Sequence, residues 1–485
     1  MDTQVRVQSD PSVPSCSEPR QEKDGLTLKL FFAVLASWFG SIAMGTVIGY
    51  SSPSIPRMET YDIPLKITSD EGDWFGSLMN IGALFGGLAA GLATEKLGRK
   101  STLIFTSAPF VLGYLLIAYA NHVSMLLIGR LLTGFCTGVV SLTVPVYVAE
   151  LSPSAIRGQL STVIQLSVTI GIVFSFSFGY FLFWTWLAIA CTIFPLLMGT
   201  IMIFMPETPF WLMKYNQTDE AMKSIRFIRP NLADVNSEFQ DLSDAVQRQN
   251  SIGSFKLAML KDPTVYKPLI ICLSIMAFQQ VCGVNAIVFY TVSIFKNAGS
   301  SIDPKLSTII VGVTQFIGTF GASFIMDKAG RRILLLLSGA GMCVSLGVFG
   351  VYYYMVHLKG SDFQTEYGWL PLVSLIVYNL MFAIGYGPIP WILAGEMFPL
   401  RAKAFGTGLV TAFNWLCSFI VTKEFSHMIE AFEAFGTYFF FAAVCFASCI
   451  FVFFCVPETK GRSFEEIEEQ FAGRSNTILN DSSSD

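Results

Sequence analysis

A few uncharged amides stand inside otherwise apolar stretches of this 485-residue chain: Gln165, Gln279, Gln280, Asn285, Gln315 and Asn414, with an indole at Trp391. An amide offers donors and an acceptor without charge, which matches the hydroxyls of a polyol, each at once donor and acceptor. Left unpaired when buried, such a group costs about 1–3 kcal/mol, so a chain that keeps several has a polar ligand or a polar neighbour for them. For Gln165, Gln315 and Asn414 the alternative use is as glue between helices. Trp391 either gives a pyranose ring a flat apolar face or belongs to an interfacial aromatic belt.

Other chemistries lack their residues. There is no G-x-x-x-x-G-K-[ST] phosphate loop to drive a pump with ATP. His122, His357 and His427 fall at outer loops or span ends, so neither a histidine metal cluster nor an intramembrane relay is expected, and no C-x-x-C occurs. No nucleophile, metal set or cofactor cradle points to an enzyme. A carboxylate deep in a span would suggest proton coupling, because it is costly there without a job. The stretch from Leu30 to Gly49 has none. Passive transport is therefore the favoured reading, with a proton-coupled symporter as the alternative and a non-transporting sensor as one of another class.

A second group of charged residues recurs in loops: Arg99, Arg157, Arg331, Arg332 and Arg401 against Glu150, Glu207, Glu396 and Glu458. Pairs between them, formed across two halves when the inner side shuts and broken when it opens, would make a cytosolic gate. The plainer use is anchoring of solvated helix ends.

The elements that must position these residues are membrane helices. The chain is 53% hydrophobic and 14% charged with a mean hydropathy of +0.56, a balance unlike that of a soluble enzyme. A hydrocarbon core of about 30 Å takes roughly 20 apolar residues per helix. Twelve such stretches are expected, near 29–50, 74–93, 101–119, 125–147, 159–181, 183–205, 268–292, 306–326, 333–356, 370–394, 404–422 and 436–456. Of the 31 Lys and Arg residues, Arg57, Lys66, Lys296, Lys305, Lys359 and Lys423 fall on outer loops and Arg130 within span 4; the rest lie inside. That bias puts both termini in the cytosol. The first 27 residues do not read as a cleavable leader, and Cys16 alone among the cysteines lies outside the spans.

A hydrophilic stretch near 206–263 divides the spans six and six. Glu95-Lys-Leu-Gly-Arg-Lys100 recurs as Asp327-Lys-Ala-Gly-Arg-Arg332, Glu150-Leu-Ser-Pro153 as Glu396-Met-Phe-Pro399, and Pro206-Glu-Thr208 as Pro457-Glu-Thr459. Three landmarks in one order indicate a parallel duplication and an all-α membrane protein of two six-helix halves, the major facilitator fold, with its site between the halves. The domains expected are a cytosolic arm (1–28), an N-terminal bundle (29–205), a linker with short helices at Thr218–Ile228 and 235–249 (206–263), a C-terminal bundle (264–456) and a tail (457–485). Two spans should be broken: span 7 at Gly283, since Gln280 and Asn285 would otherwise lie about 140° apart on a helix, and span 10 across Gly385-Tyr-Gly-Pro-Ile-Pro-Trp391. The glycines of span 2 from Gly82 to Gly91 read as close helix packing.

Gly98-Arg99-Lys100, Gly129-Arg130, Val144-Pro-Val-Tyr147 with Glu150 and Arg157-Gly158, Pro206-Glu-Thr-Pro209, Gln279-Gln280 with Asn285, Gly387-Pro-Ile-Pro-Trp391 and Pro457-Glu-Thr-Lys-Gly461 together resemble the sugar porter family of the major facilitator superfamily over 30–465. Within it the chain looks most like insect facilitated trehalose transporters and related facilitative glucose carriers. The resemblance implies that Gln165, Gln279, Gln280, Asn285 and Trp391 contact sugar and that the charged loop residues form the gate. It also marks departures. Val47 stands where proton-coupled members have Asp, Ala383 where glucose carriers have Glu, Gln315 where they have Asn, and Ser418 where a second Asn is expected after Asn414. The partners expected are a small neutral sugar, trehalose or a glucose-type hexose, and the lipid bilayer of the cell membrane, with no nucleic acid, no obligate protein partner and no cofactor.

Overall fold

The structure, a computed structural model, describes residues 27–61, 65–228, 232–251, 257–462 and 464–472. The arm with Cys16, Ser463 and the end of the tail lie outside the described residues. Among the described residues, eleven helical stretches are long and apolar enough to cross a membrane. The last, Leu400–Cys455, has 56 residues, and Glu433 inside it sits at φ 57°, ψ 171°. A straight helix of that length would run about 84 Å, far more than a bilayer takes, so it counts as spans 11 and 12 joined at Glu433. The total is then twelve, as the hydropathy indicates.

Spans 1 to 6 are Leu28–Thr60, Ser69–Leu97, Arg99–Ala118, Val123–Leu151, Ser154–Phe181 and the pair Trp184–Cys191 with Ile193–Ile203. Spans 7 to 10 are Pro263–Val281 with Val284–Ala298, Pro304–Ala329, Arg331–Lys359, and Leu370–Ile384 with Ile389–Glu396. Local sequence sets their starts. Thr68 and Glu71 form a reciprocal capping box at span 2. Asp262-Pro263 and Asp303-Pro304 start spans 7 and 8 with a carboxylate cap and a proline at the first helical position. Span 1 runs nearly three turns beyond the apolar stretch that ends at Tyr50, through Pro53 and Pro56, to Thr60. The extension holds because Arg57 donates to the carbonyls of Leu182 and Tyr180 and Ser52 accepts from Val292 N–H at 3.1 Å.

Within each half the spans pack backbone to backbone where glycine allows it. A Cβ on Gly86 would stand 1.9 Å from the carbonyl oxygen of Phe135, and one on Gly138 2.1 Å from that of Ala83, so spans 2 and 4 meet through these positions. The expected linker helices are Thr218–Ile228 and Leu232–Ser251, and Phe464–Ala472 follows span 12.

Candidate functional site

Span 7 stops at Val281 and resumes at Val284, with Gly283 between them in the left-handed region at φ 88°, ψ 12°. A Cβ there would be strained and would meet the Phe441 ring at 2.6 Å. The break swings Asn285 back toward Gln280, so that Asn285 Nδ2 donates to Gln280 Oε1 at 2.7 Å. Span 10 is interrupted between Ile384 and Ile389, where Pro388 has no N–H to give. The carbonyls freed at Tyr386 and Gly387 take Gln279 Nε2, at 2.6 and 3.2 Å. A side chain next to the break in span 7 thus satisfies the backbone that the break in span 10 leaves open.

Span 11 joins them. Asn414 donates from Nδ2 to Gln279 Oε1 at 2.8 Å and accepts from Gln280 Nε2 at 3.1 Å. Asn285 Nδ2 also donates to Ser418 Oγ at 2.7 Å, and Ser418 donates to Asn80 Oδ1 at 3.0 Å. Asn80 Nδ2 donates to Thr422 Oγ1 at 3.1 Å. One neutral chain of bonds thus runs from the broken backbone of span 10 through spans 7 and 11 to span 2, in the other half. Asn80 and Thr422 are fully buried members that the sequence alone does not single out, while Ser418, also buried, is the position noted above as a departure from Asn. Asn80 lies two residues before Gly82, where the small-residue run of span 2 begins. Ser418, shorter than the expected Asn, receives its amide partner from Asn80 instead.

The structure does not bring every expected residue into this chain. Among the described residues no hydrogen bond reaches the amide of Gln165, which is half-buried, or that of Gln315, which is 7% exposed. Trp391 lies on the second piece of span 10 and is 38% exposed. Ala383 is buried against span 8, where a Cβ on Gly318 would come 3.0 Å from its own. The volume saved by Ala383 is thus taken up at least partly by close approach of spans 8 and 10.

Above the amides, toward the end of the bundle away from the termini, further bonds cross between the halves. Asp73 Oδ1 of span 2 accepts from Tyr290 Oη at 2.9 Å and from Ser426 Oγ at 2.7 Å. Lys423 Nζ lies 2.7 Å from Asp70 Oδ1 and 4.9 Å from the centre of the Trp74 ring. Beneath, the fully buried Arg130 donates to the carbonyls of Phe75 (3.0 Å) and Val47 (2.8 Å) and to the Ser51 hydroxyl, and its guanidinium stands 5.0 Å from the Phe75 ring. No carboxylate pairs with it among the described residues.

The end of the bundle that carries the termini shows the duplication as geometry. Arg99 Nη2 pairs with Glu150 Oε1 at 2.7 Å in one half, and Arg331 Nη2 with Glu396 Oε1 at 3.2 Å in the other. Glu207 accepts from the backbone N–H groups of Arg99 and Lys100, Glu458 from those of Arg331 and Arg332, each at the start of the third helix of its half. Gly98 and Gly330 share φ 90°, and a Cβ on either would meet that glutamate at 2.2 or 2.7 Å. Burial pushes the Glu458 carboxyl up, but the N–H groups of Lys460, Arg331 and Arg332 outweigh it and hold the group below the usual carboxylate range. The N–H and hydroxyl of Thr264, ahead of Arg401, likewise lower Asp262.

Among the described residues these pairs stay within their own halves. Arg332 lays its guanidinium over the Phe453 ring. Arg401 reaches Asp262 at 2.9 Å and Glu468 at 3.4 Å, tying span 11 to the linker and to the helix after span 12. The side chain of Arg157 lies outside the described residues.

A profile of the family described as sugar (and other) transporter matches residues 32–471. The chain is 40% identical to the facilitated trehalose transporter Tret1 of Bombyx mori over 487 residues, 98% of this chain and 95% of that one. To Tret1 of Apis mellifera ligustica it is 39% identical over 453 residues, covering 92% and 90% of the two chains. Among solved structures, the xylose transporter XylE from E. coli in its inward open conformation superposes with a TM-score of 0.77 at 23% identity, covering 91% of this chain and 99% of that one. XylE bound to 6-bromo-6-deoxy-D-glucose gives 0.74, also at 23% identity and over 91% and 99%. The fold is thus the major facilitator fold.

Proposed function

Because the chain belongs to the sugar (and other) transporter family and so moves sugar rather than transforming it, we propose that it is a uniporter that carries trehalose or a glucose-type hexose by alternating access. The observation that carries this reading is the neutral amide chain strung between the breaks of spans 7 and 10. Gln279, Gln280, Asn285 and Asn414 can trade bonds with one another for bonds to hydroxyls, so a sugar enters without leaving a buried polar group unpaired. Gln315 and Gln165, whose amides bond to nothing in the protein among the described residues, add free donors and acceptors, and Trp391 a ring face. The likeness to facilitated trehalose transporters supports trehalose as the first candidate.

Passive movement is supported at Arg130. Val47 brings no carboxylate to it, and backbone carbonyls hold the guanidinium instead, so no acid–base pair is poised there to take up a proton. One observation favours symport: Asp73 is a buried carboxylate in the outer closure. The outer side is held shut by bonds from Asp70, Asp73 and Asn80 to span 7 and span 11. In this form the charged inner residues pair within their halves. We assign the same residues, Arg157 included, to cross-half pairs when the inner side shuts. The membrane is taken to be the cell membrane with both termini in the cytosol, following the Lys and Arg bias.

The test is uptake of labelled trehalose and D-glucose into proteoliposomes holding the purified chain, with and without an inward proton gradient. Saturable uptake that stops at equal concentrations under both conditions is the expected result. Accumulation above equilibrium with the gradient would give the symport reading, and no uptake of either sugar would remove the transport assignment for them.

A further inference from the structure

Outside the bonds that shut the outer side there is a recess of ≈ 320 Å³ walled by both halves. Span 1 and span 2 contribute Glu59 and Asp73, span 7 contributes Tyr290, Lys296 and Asn297, and span 9 contributes Tyr353. The volume lies at the lower end of the range for small-ligand sites, roughly 300–1,000 Å³.

Several of its polar atoms are left over by the fold, although Asp73, Tyr290 and Tyr353 each bond within the protein. Asp73 is 5% exposed; both bonds it accepts fall on Oδ1, and among the described residues Oδ2 receives none. No described side chain hydrogen-bonds to the carboxylate of Glu59, the ammonium of Lys296 or the amide of Asn297, though Lys296 stands near enough to attract Glu59 electrostatically. Two carboxylates accept from hydroxyl groups, an ammonium and an amide donate to hydroxyl oxygens, and the tyrosine rings offer faces to C–H groups. A cation would meet Lys296, and an anion would meet Glu59 and Asp73. A neutral polyol suits all of these groups together.

We propose that this outer recess is a second sugar site, separate from the amide chain and present only while the outer side is shut. The inference rests on the sugar-transport reading for its ligand class but not on the residues assigned to the central site. Because its walls come from both halves, opening the outer side pulls the site apart. A sugar held there from outside stabilises the shut form and delays the return of the empty carrier. At an external concentration ten times the Kd of the recess, the ratio of outside-open to outside-shut forms falls about elevenfold. Influx should then rise with external sugar, pass a maximum and decline.

The test uses D-glucose and trehalose as probes on the full chain in detergent, with Gln280→Ala and Asn285→Ala silencing the central site. Saturation-transfer NMR should still report sugar bound, and Glu59→Gln or Asn297→Ala added singly should abolish that signal. In proteoliposomes, Asn297→Ala alone should turn the peaked influx curve into a simple saturating one, with low-concentration rates unchanged. The proposal is overturned if the silenced chain binds neither sugar, or if its binding is indifferent to both recess variants. Uptake by the unmodified chain without binding in the silenced one would remove the recess and leave the transporter. Binding in the silenced chain that depends on Glu59 and Asn297, with no uptake by the unmodified chain, would do the reverse.

Discussion

At the scale of single residues, the amide chain separates two kinds of variant. Asn285→Ala strips the group that donates to both Gln280 and Ser418. With a buried partner left open at about 1–3 kcal/mol, sugar kcat/KM should fall roughly 5- to 100-fold, mostly through KM, in initial-rate uptake. Asn80→Ala should act differently, because its bonds to Ser418 and Thr422 exist only while span 2 lies against span 11. Losing them raises the outside-open fraction by about 5- to 30-fold if the bonds are worth 1–2 kcal/mol. A cysteine at Ser52, buried in the shut form, would be labelled from outside faster by that factor in the Asn80→Ala background; an unchanged rate would deny Asn80 this part. The amides of spans 7 and 11 are legible in the sequence because a polar residue in an apolar run has a cost that demands a use. Asn80 is not, since its partners lie more than 300 positions away and its neighbours are glycines that announce packing.

At the scale of elements, the helix breaks and the repeated loop anchors do the positioning. Gly283→Ala puts a Cβ at φ 88° and against Phe441, a strain of about 1–2 kcal/mol before the clash is counted. It should lower Tm and cut transport together, and a variant with full activity and unchanged Tm would show that the left-handed residue is not what turns span 7. Glu458 anchors the start of span 9 through the backbone N–H groups of Arg331 and Arg332, takes a third bond from Lys460 N–H in its own loop, and its carboxyl is held below the usual range. A group whose pKa is lowered on folding stabilises above its unfolded value, about 4.3, and loses that contribution as pH falls through the folded one. Glu458→Gln should therefore reduce Tm at pH 7, with a gap to the parent that closes as the pH is taken below about 4. The repeat of Pro206-Glu-Thr208 as Pro457-Glu-Thr459 is visible in sequence, and the matched geometry of Gly98 and Gly330 gives its reason. Helix extents are less visible. Span 1 continues past its apolar stretch because polar residues there bond to spans 5 and 7, and the join of spans 11 and 12 at Glu433 has no Gly or Pro to mark it.

At the scale of the whole molecule, the distribution of bonds between the halves fixes which side can open. Cross-half hydrogen bonds and ion pairs among spans 1, 2, 7 and 11 lie at the end of the bundle away from the termini, the outer side in the orientation proposed above, while the ion pairs at the opposite end stay within each half. A carrier built this way must exchange the outer set for an inner one in every cycle, since a path open at both ends would leak. Asp70 and Lys423 stand at the outer rim on opposite halves, 2.7 Å apart at their charged ends. Replacing them with cysteines, Asp70→Cys and Lys423→Cys, should leave transport measurable, because the pair is one of several cross-half contacts and its Asp70 end is exposed, although Lys423 is buried against Trp74. Joining the two thiols with a short bismaleimide should then stop both influx and efflux, while either single variant, treated alike, continues to transport. Because the tie leaves the central amides untouched and the inner side free, sugar binding should persist in the joined protein even as flux ends. Flux that survives the tie would mean that sugar passes without separation of the halves at their outer rim.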